Sequence, residues 1–253
     1  LLVGLSCSRT PWDNLPGWKA LRGLELADKL AALGNAERRA ALIAEADAGS
    51  AWVALDRLYF LDADDAAYYP DPALSLAGLA AAMNSSPAAA FCELALRTGG
   101  RALFTHAFLN QRPEAVEEMI ANPTVVLGLA DAGAHVGQIM DASQPTFFLR
   151  DWVRDRKLLT IEQAIRRLTS DTAELFGIAD RGVLRAGAYA DVNVIDLAGL
   201  RLPAPEYVRD FPGGAGRFIQ RGAGYDCTLV NGQVFMERGE HTGAFAGRIL
   251  RSA

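Results

Sequence analysis

Apolar residues run without alternation from Val125 to Ala130 and stop at Asp131, with small residues and His135 coming at once after it. An unalternating apolar run bounded by turn chemistry reads as a strand buried on both faces, as in a parallel sheet. Asp131 is therefore expected at the carboxyl end of a buried strand. A bare Asp at such a place also organises turns or caps helices, so the pattern alone leaves its role open.

The rest of the chain supplies the setting. Leu1–Cys7 is apolar and reads as a strand, and Ser8–Gly23 as a long loop bearing Pro, Trp and Gly. Leu24–Ala48 has helical spacing in two pieces: Leu26, Leu30 and Leu33, then Ala40, Ile43 and Ala46, broken at Gly34-Asn35. Trp52–Leu61 reads as a strand, followed by the acidic loop Asp62–Asp65. Ser75–Met83 and Pro87–Arg97 are predicted helices, the second opened by Pro and closed by Gly99-Gly100. Arg101–Phe108 is a predicted strand. Pro113–Ala121 is a helix that Pro123 cannot continue. Beyond the Asp131 stretch, Pro145–Lys157 and Thr160–Phe176 are predicted helices, with Thr160 and Gln163 forming a capping box and Gly177 ending the second. Strands alternating with helices predict an α/β fold with parallel pairing.

Helical periodicity ends near Gly182. Val183–Leu184, Asp191–Asp196, Cys227–Val230 and Gln233–Glu237 read as short strands. Asn231-Gly232 between two of them is a two-residue hairpin signal. The Pro/Gly-rich stretch Leu202–Gly224 is either a long loop of this small β domain or a cover reaching back to the first. The chain offers about four strand–helix units, half of what a closed (β/α)8 barrel needs. The expected fold is thus the C-terminal half of a TIM-type barrel over residues 1–182, followed by a small β domain over residues 183–253.

Composition adds mainly exclusions. The chain has 253 residues, 51% of them hydrophobic and 22% charged, which is ordinary for a globular core. A net charge of −5 argues against nucleic-acid or anionic-membrane partners. The basic group Arg150, Arg154, Arg156 and Lys157 reads as a solvated helix face. Three separated cysteines, Cys7, Cys92 and Cys227, indicate neither a disulfide framework nor a structural zinc site, and a reducing cytoplasm is the expected home. No apolar run reaches the ~18–20 residues of a membrane span. The chain opens Leu-Leu-Val-Gly, so its natural N-terminus is expected upstream.

A series of motifs carries a resemblance. They are Leu127-Gly-Leu-Ala-Asp-Ala-Gly-Ala-His135, Thr169-Ser170, Phe176-Gly177, the run from Asp180-Arg-Gly-Val-Leu to Val194-Ile-Asp196, Val230-Asn-Gly232, and a closing Thr242-Gly243 with Gly247-Arg-Ile-Leu-Arg251. In order and spacing the series resembles the C-terminal part of the metal-dependent amidohydrolase superfamily, most closely its N-acyl-D-amino-acid deacylase (D-aminoacylase-like) branch. The resemblance implies a barrel with one or two zinc ions at its mouth and a composite β-sandwich beside it, of which residues 183–253 are the C-terminal segment. It also implies hydrolysis of non-peptide amide C–N bonds in a small-molecule substrate. Asp131 matches the family's last-strand Asp, which binds or approaches the metal and relays a proton from the attacking water to the leaving nitrogen. The chemistry is coherent: zinc lowers the pKa of its water towards 7 and a carboxylate in reach shuttles the proton. His135, in the same motif, is implied to contact substrate or hold the loop. His106 on its strand is read as structural and His241 as solvent-facing, and Tyr189–Asp191 as a structural turn.

Two departures from the pattern matter. No His-x-His pair occurs, and three scattered His (His106, His135, His241) with three Lys (Lys19, Lys29, Lys157) do not make a zinc set of three or four ligands. Most zinc ligands are therefore expected upstream of Leu1, and this portion by itself is expected to be inactive. The family's carboxylate-gripping Arg is also missing, since Ala142-Ser143-Gln144-Pro145 stands in its place. Arg150 is the nearest substitute for substrate binding. A cyclic-amide hydrolase of the hydantoinase or dihydroorotase kind, and a non-catalytic interaction module, remain alternatives. A homo-oligomer is compatible with all three.

Overall fold

In the computed structural model, residues 1–250 are described apart from Ser8, Asp62 and Leu129. Contacts divide the chain into two compact units. The first holds Leu1–Pro113, Asp131–Met140 and Ala204–Ile219; the second holds Glu114–Ala130, Asp141–Pro203 and the chain from Gln220 onward.

The first unit is built on a three-stranded sheet of β1 (Leu2–Gly4), β2 (Leu58–Leu61) and β3 (Leu103–His106), ordered β1-β3-β2. Its helices are α1 (Pro16–Leu21), α2 (Leu26–Gly34), α3 (Ala36–Ala48), α4 (Leu76–Ala82) and α5 (Pro87–Arg97). The periodicity located α2, α3 and α5 to within two residues. Asn35 explains the break between the first two: its side chain accepts from Arg38 N at 2.9 Å and so caps α3. Ser75 and Ser86 cap α4 and α5 in the same way. The expected loop Ser8–Gly23 contains α1, opened by Pro16 and pinned by Trp18, whose indole donates to Leu42 O at 3.0 Å.

The parallel pairing read from the sequence is corrected here. β3 runs antiparallel to both neighbours, with Leu2 opposite Thr105 and Leu58 opposite His106. β1 and β2 therefore run the same way on either side of β3. Alternation of strands and helices in a sequence names the elements but not the direction in which distant strands pair, which long-range contacts set.

Aromatic packing fills the core over this sheet. Trp12 and Trp18 lie 4.9 Å apart, Phe91 meets both edge-on at 5.7 and 5.8 Å, and Phe104 stacks on Phe91 at 5.8 Å. All four are almost fully buried. Such pairs add about 0.5–1.5 kcal/mol each beyond the area they bury. The trailing stretch Leu202–Gly224, read as loop or cover, contains a hairpin of β5 (Glu206–Val208) and β6 (Arg217–Ile219) that belongs with the first unit.

In the second unit, α6 (Pro113–Ala121) ends where expected. Thr124 is then held in a turn by the Asn122 side chain, which accepts from its N–H at 2.9 Å and its hydroxyl at 2.8 Å. The predicted buried strand does not form over the described residues Thr124–Gly128. No described strand pairs with them, and Val125 and Val126 are 38% and 48% exposed. A strand needs a ladder partner as well as an apolar run. Leu129, in the same run, lies outside the described residues, as does Asp62 of the acidic loop.

The predicted helix Pro145–Lys157 starts as α7 (Gln144–Phe147) and widens into a π-helical stretch, Phe148–Asp155. Phe148, Leu149, Trp152 and Val153 are buried there, a spacing that i→i+4 and i→i+5 bonding both satisfy. The predicted helix Thr160–Phe176 divides at Thr169 into α8 (Ile161–Leu168) and α9 (Ser170–Leu175). The capping box is present: Thr160 N donates to Gln163 Oε1 at 2.9 Å, and Gln163 N to Thr160 Oγ1 at 3.3 Å.

The remaining strands are β4 (Val192–Ile195), β7 (Tyr225–Val230), β8 (Gln233–Glu237) and β9 (Glu240–His241), an antiparallel sheet ordered β4-β7-β8-β9. Asn231 (φ 49°) and Gly232 (φ 79°) turn β7 into β8 with both residues left-handed, as a two-residue hairpin requires. Val183–Leu184, expected as a strand, is not one, and Leu184 is 80% exposed. The Tyr189–Asp191 turn is structural in the way the sequence suggested. Arg181 pairs with Asp191, donates to Asn231 Oδ1 at 2.9 Å and lies over the Tyr189 ring at 4.3 Å. No helix of the described residues is long and apolar enough to cross a membrane.

Candidate functional site

Asp131 opens a tight, largely exposed turn in the first unit. Its backbone is left-handed (φ 51°), a region that Asp enters more readily than most residues. Its carbonyl accepts from Gly133 N and Ala134 N, both at 3.1 Å. His135 is also left-handed (φ 53°), and its carbonyl accepts from Gln138 N at 2.7 Å and Ile139 N at 3.0 Å. Both side chains are exposed. The carboxylate expected at a strand end thus sits on a turn whose geometry Gly133 and the small neighbours Ala132 and Ala134 allow.

The segment after His135 is anchored. Val136 O accepts from Phe218 N at 2.8 Å and Gln138 O from Leu2 N at 2.7 Å. Ile139 is buried, and Met140 packs on a cluster of Leu2, Cys7, Leu61, Ala66, Leu103 and Phe218. The sequence offered Leu202–Gly224 as a cover reaching back to the first part of the chain but did not mark it as support for this turn. Of its three aromatics, Tyr207 and Phe218 form the pair that packs there.

Arg150 belongs to the second unit. It is 3% exposed and its Nε is 2.6 Å from Asp151 Oδ2. The solvated basic face expected around it is corrected in part: Arg150 is buried and Arg154, half-buried, donates to Leu200 O at 2.7 Å, while Arg156 and Lys157 are exposed, Arg156 lying over the Trp152 ring at 5.4 Å. Their apolar neighbours in the π-helical stretch draw these long side chains along the surface they cover. His106 is half-buried on β3, with Nδ1 3.4 Å from Arg57 O. His241 is exposed, accepts from Gly243 N at 2.8 Å and lies against Phe235 and Phe245.

Beneath β1 lies a polar group the sequence did not single out. Lys29, buried on α2, donates from Nζ to Leu5 O at 3.1 Å and Cys7 O at 3.4 Å. Burial lowers its pKa. Burial likewise pushes the Cys7 thiol up to about 12, and Cys7 Sγ contacts Gly4 O at 3.1 Å. A thiol in that state is a packed core group and a poor nucleophile.

Among the described residues, no three or more His, Cys, Asp and Glu side chains gather where they could hold a metal ion. The residues present therefore do not fit the zinc site that the resemblance implies.

A sequence model described as an amidohydrolase family matches residues 5–236, most of the chain. The chain belongs to the amidohydrolase family. This family member is 32% identical over 221 residues to an uncharacterized protein of Mycobacterium tuberculosis, covering 77% of this chain and 36% of that protein. It is 35% identical over 102 residues to a D-aminoacylase of Alcaligenes xylosoxydans xylosoxydans, covering 40% of this chain and 19% of the relative. A further stretch of 51 residues is 49% identical to an N-acyl-D-glutamate deacylase of the same organism, covering 20% of this chain and 10% of that one. The amidohydrolase chain thus spans little more than a third of the first of these relatives. Among solved structures, an N-acyl-D-glutamate deacylase from Bordetella bronchiseptica, complexed with zinc and a phosphonate inhibitor, aligns with 25% identity and a TM-score of 0.41 over 78% of this chain and 38% of its own. A D-aminoacylase aligns with 24% identity and a TM-score of 0.45 over 85% and 46%.

Proposed function

We propose that this chain is the C-terminal part of a hydrolase of N-acyl-D-amino acids and that Asp131 is its proton-relaying carboxylate. The observation that carries the reading is Asp131 itself. Within the family-matched span, a carboxylate stands exposed on a turn whose backbone is fixed by its own carbonyl and by the anchored residues after His135. A group that must take a proton from an attacking water and give it to a leaving nitrogen has to be accessible and held still. The deacylase names of the two Alcaligenes relatives support the substrate class. His135, on the same turn, is read as a substrate contact. Arg150 retains only a weaker substrate-binding reading, because Asp151 already occupies its guanidinium.

Zinc dependence belongs to the same proposal for the longer protein. Since the described residues do not form a donor set, Asp131 would be this chain's contribution and the other ligands would lie outside these residues. For the whole protein the reading is a barrel to which residues 1–182 contribute, with residues 183–253 in a small β domain. The absence of any α-helix after Gly182 among the described residues supports the division at that point, whereas the antiparallel pairing of β3 with β1 and β2 gives a barrel of parallel strands no support. The test is a product assay on the longer protein with matched N-acetyl-D- and N-acetyl-L-amino acids and a cyclic amide such as hydantoin. Release of the free D-amino acid supports the proposal. Turnover of the cyclic amide alone, or no turnover by a metal-loaded protein, overturns it.

A further inference from the structure

We infer that the β5–β6 hairpin positions the Asp131 turn, with Tyr207, Gly216 and Phe218 acting through the Val136–Met140 segment. The inference rests on the reading of Asp131 as the working carboxylate and adds residues about 80 positions downstream to its support. The segment is gripped from two sides: Phe218 N donates to Val136 O at 2.8 Å, and Leu2 N donates to Gln138 O at 2.7 Å. The first of these anchored carbonyls belongs to the residue next to the left-handed His135, so a shift of β6 is passed directly to the turn.

The hairpin is fixed independently of the turn. Phe218 is 1% exposed in the cluster that also receives Met140. Tyr207 packs edge-on against it, with ring centroids 5.1 Å apart. At the tip, Arg217 grips both oxygens of Asp210 at 2.8 and 2.7 Å. At the base, Ala204 N donates to Ala63 O at 3.1 Å. The Tyr207 hydroxyl reaches to 3.9 Å from where a side chain on Gly137 would begin, so the ring also lies against the gripped segment.

Gly216 makes this arrangement possible through space alone. Its φ is not left-handed, but a Cβ there would overlap the Tyr207 ring at Cε1, Cζ and Oη. The ring is held by Phe218 on one side and faces Gly137 beyond. Gly216→Ala therefore pushes on the residues that grip the Asp131 turn without touching Asp131.

The experiment compares the longer protein with its Gly216→Ala variant in two ways. Hydrogen exchange followed by mass spectrometry should show at least roughly tenfold faster exchange at the Phe218 amide, which donates to Val136 O, and a smaller increase at the Gln138 and Ile139 amides, which donate to His135 O. Steady-state hydrolysis of an N-acetyl-D-amino acid should show kcat reduced about a hundredfold, the scale of a ~1 Å misplacement, with KM nearly unchanged. Tyr207→Leu, which removes the ring without adding a clash, should give the same pattern and serves if Gly216→Ala does not fold. The double variant should be no worse than Tyr207→Leu. Unchanged exchange at the Phe218 amide, the donor of the gripping bond, would overturn the grip whatever the activity. Faster exchange with kcat unaltered would overturn the positioning role. If the parent hydrolyses none of these amides, the functional reading and the catalytic half of this inference both fall, and the exchange result still decides the grip.

Discussion

Replacing Arg181 probes how the second unit holds its β-sheet. Three interactions converge on this guanidinium: the ion pair with Asp191, the hydrogen bond to Asn231 Oδ1 at 2.9 Å, and the stack on Tyr189 at 4.3 Å. Asp191 in turn accepts from Asn231 N at 2.8 Å, so one network ties the chain before β4 to the β7–β8 turn. The side chains are 14% and 32% exposed, between the buried and the surface case. A fully buried pair broken on one side costs about 3–5 kcal/mol and an exposed one under about 1, so Arg181→Met should cost about 2 kcal/mol. Burial works to raise the Asp191 pKa, but the Asn231 N–H and Arg181 outweigh it and the net shift is downward. This contribution is therefore present above the unfolded carboxylate pKa and is lost as pH falls through the lowered folded value. Arg181→Lys keeps the charge but loses the fork that serves Asp191 and Asn231 together, and should recover less than half of the loss. Denaturant unfolding at neutral pH gives the energies. Exchange at the Asn231 and Gly232 amides, the latter bonded to Ala190 O at 2.8 Å, localises the effect. If Arg181→Met costs under about 0.5 kcal/mol, or Arg181→Lys matches the parent, the network does not hold the sheet in the way described.

Two further predictions concern stability. Burial raises the Cys92 thiol from 9.0 to about 12, so the unfolded chain loses this proton first and stability falls as pH rises between those values. The slope is about 1.4 kcal/mol per pH unit for each such group. Cys92→Ala should make the alkaline decline of denaturant-measured stability shallower by that amount, and an unchanged slope would contradict the assignment. Thr160→Ala removes the side-chain half of the capping box on α8 and should cost about 1 kcal/mol, whereas Thr160→Ser should retain most of it. Equal losses in both variants would exclude the cap as the cause.

Legibility in the sequence depended on how local the cause was. Asn35, Pro87 and Asn231-Gly232 act on their immediate neighbours, and the boundaries they mark were readable. The direction of β3 was not, because strand direction is set by pairing between distant segments that no local pattern records. The apolar run before Asp131 has strand composition, but pairing is a property of two segments, and the described residues offer it no partner. The hairpin strands β5 and β6 are three residues each and exist through Tyr207, Phe218 and their contacts with distant residues. At the candidate site, Asp131 was singled out by the order of motifs around it. Its support by Phe218 was not, since a backbone N–H leaves no mark in a residue pattern. Arg150 shows the converse: its neighbour Asp151 was visible in the sequence, but only burial made that pairing decisive.

The central claim is that Asp131 moves the proton in amide hydrolysis. The direct measurement is kcat of Asp131→Asn in the longer protein, with folding monitored by thermal unfolding and the metal content held equal to the parent. Asn keeps the size of the side chain and can serve the turn, whose bonds use the main-chain carbonyl. The account predicts an unchanged fold and a fall in kcat of about 10²–10⁴, the range that general acid–base groups contribute. Turnover within a few-fold of the parent would contradict it.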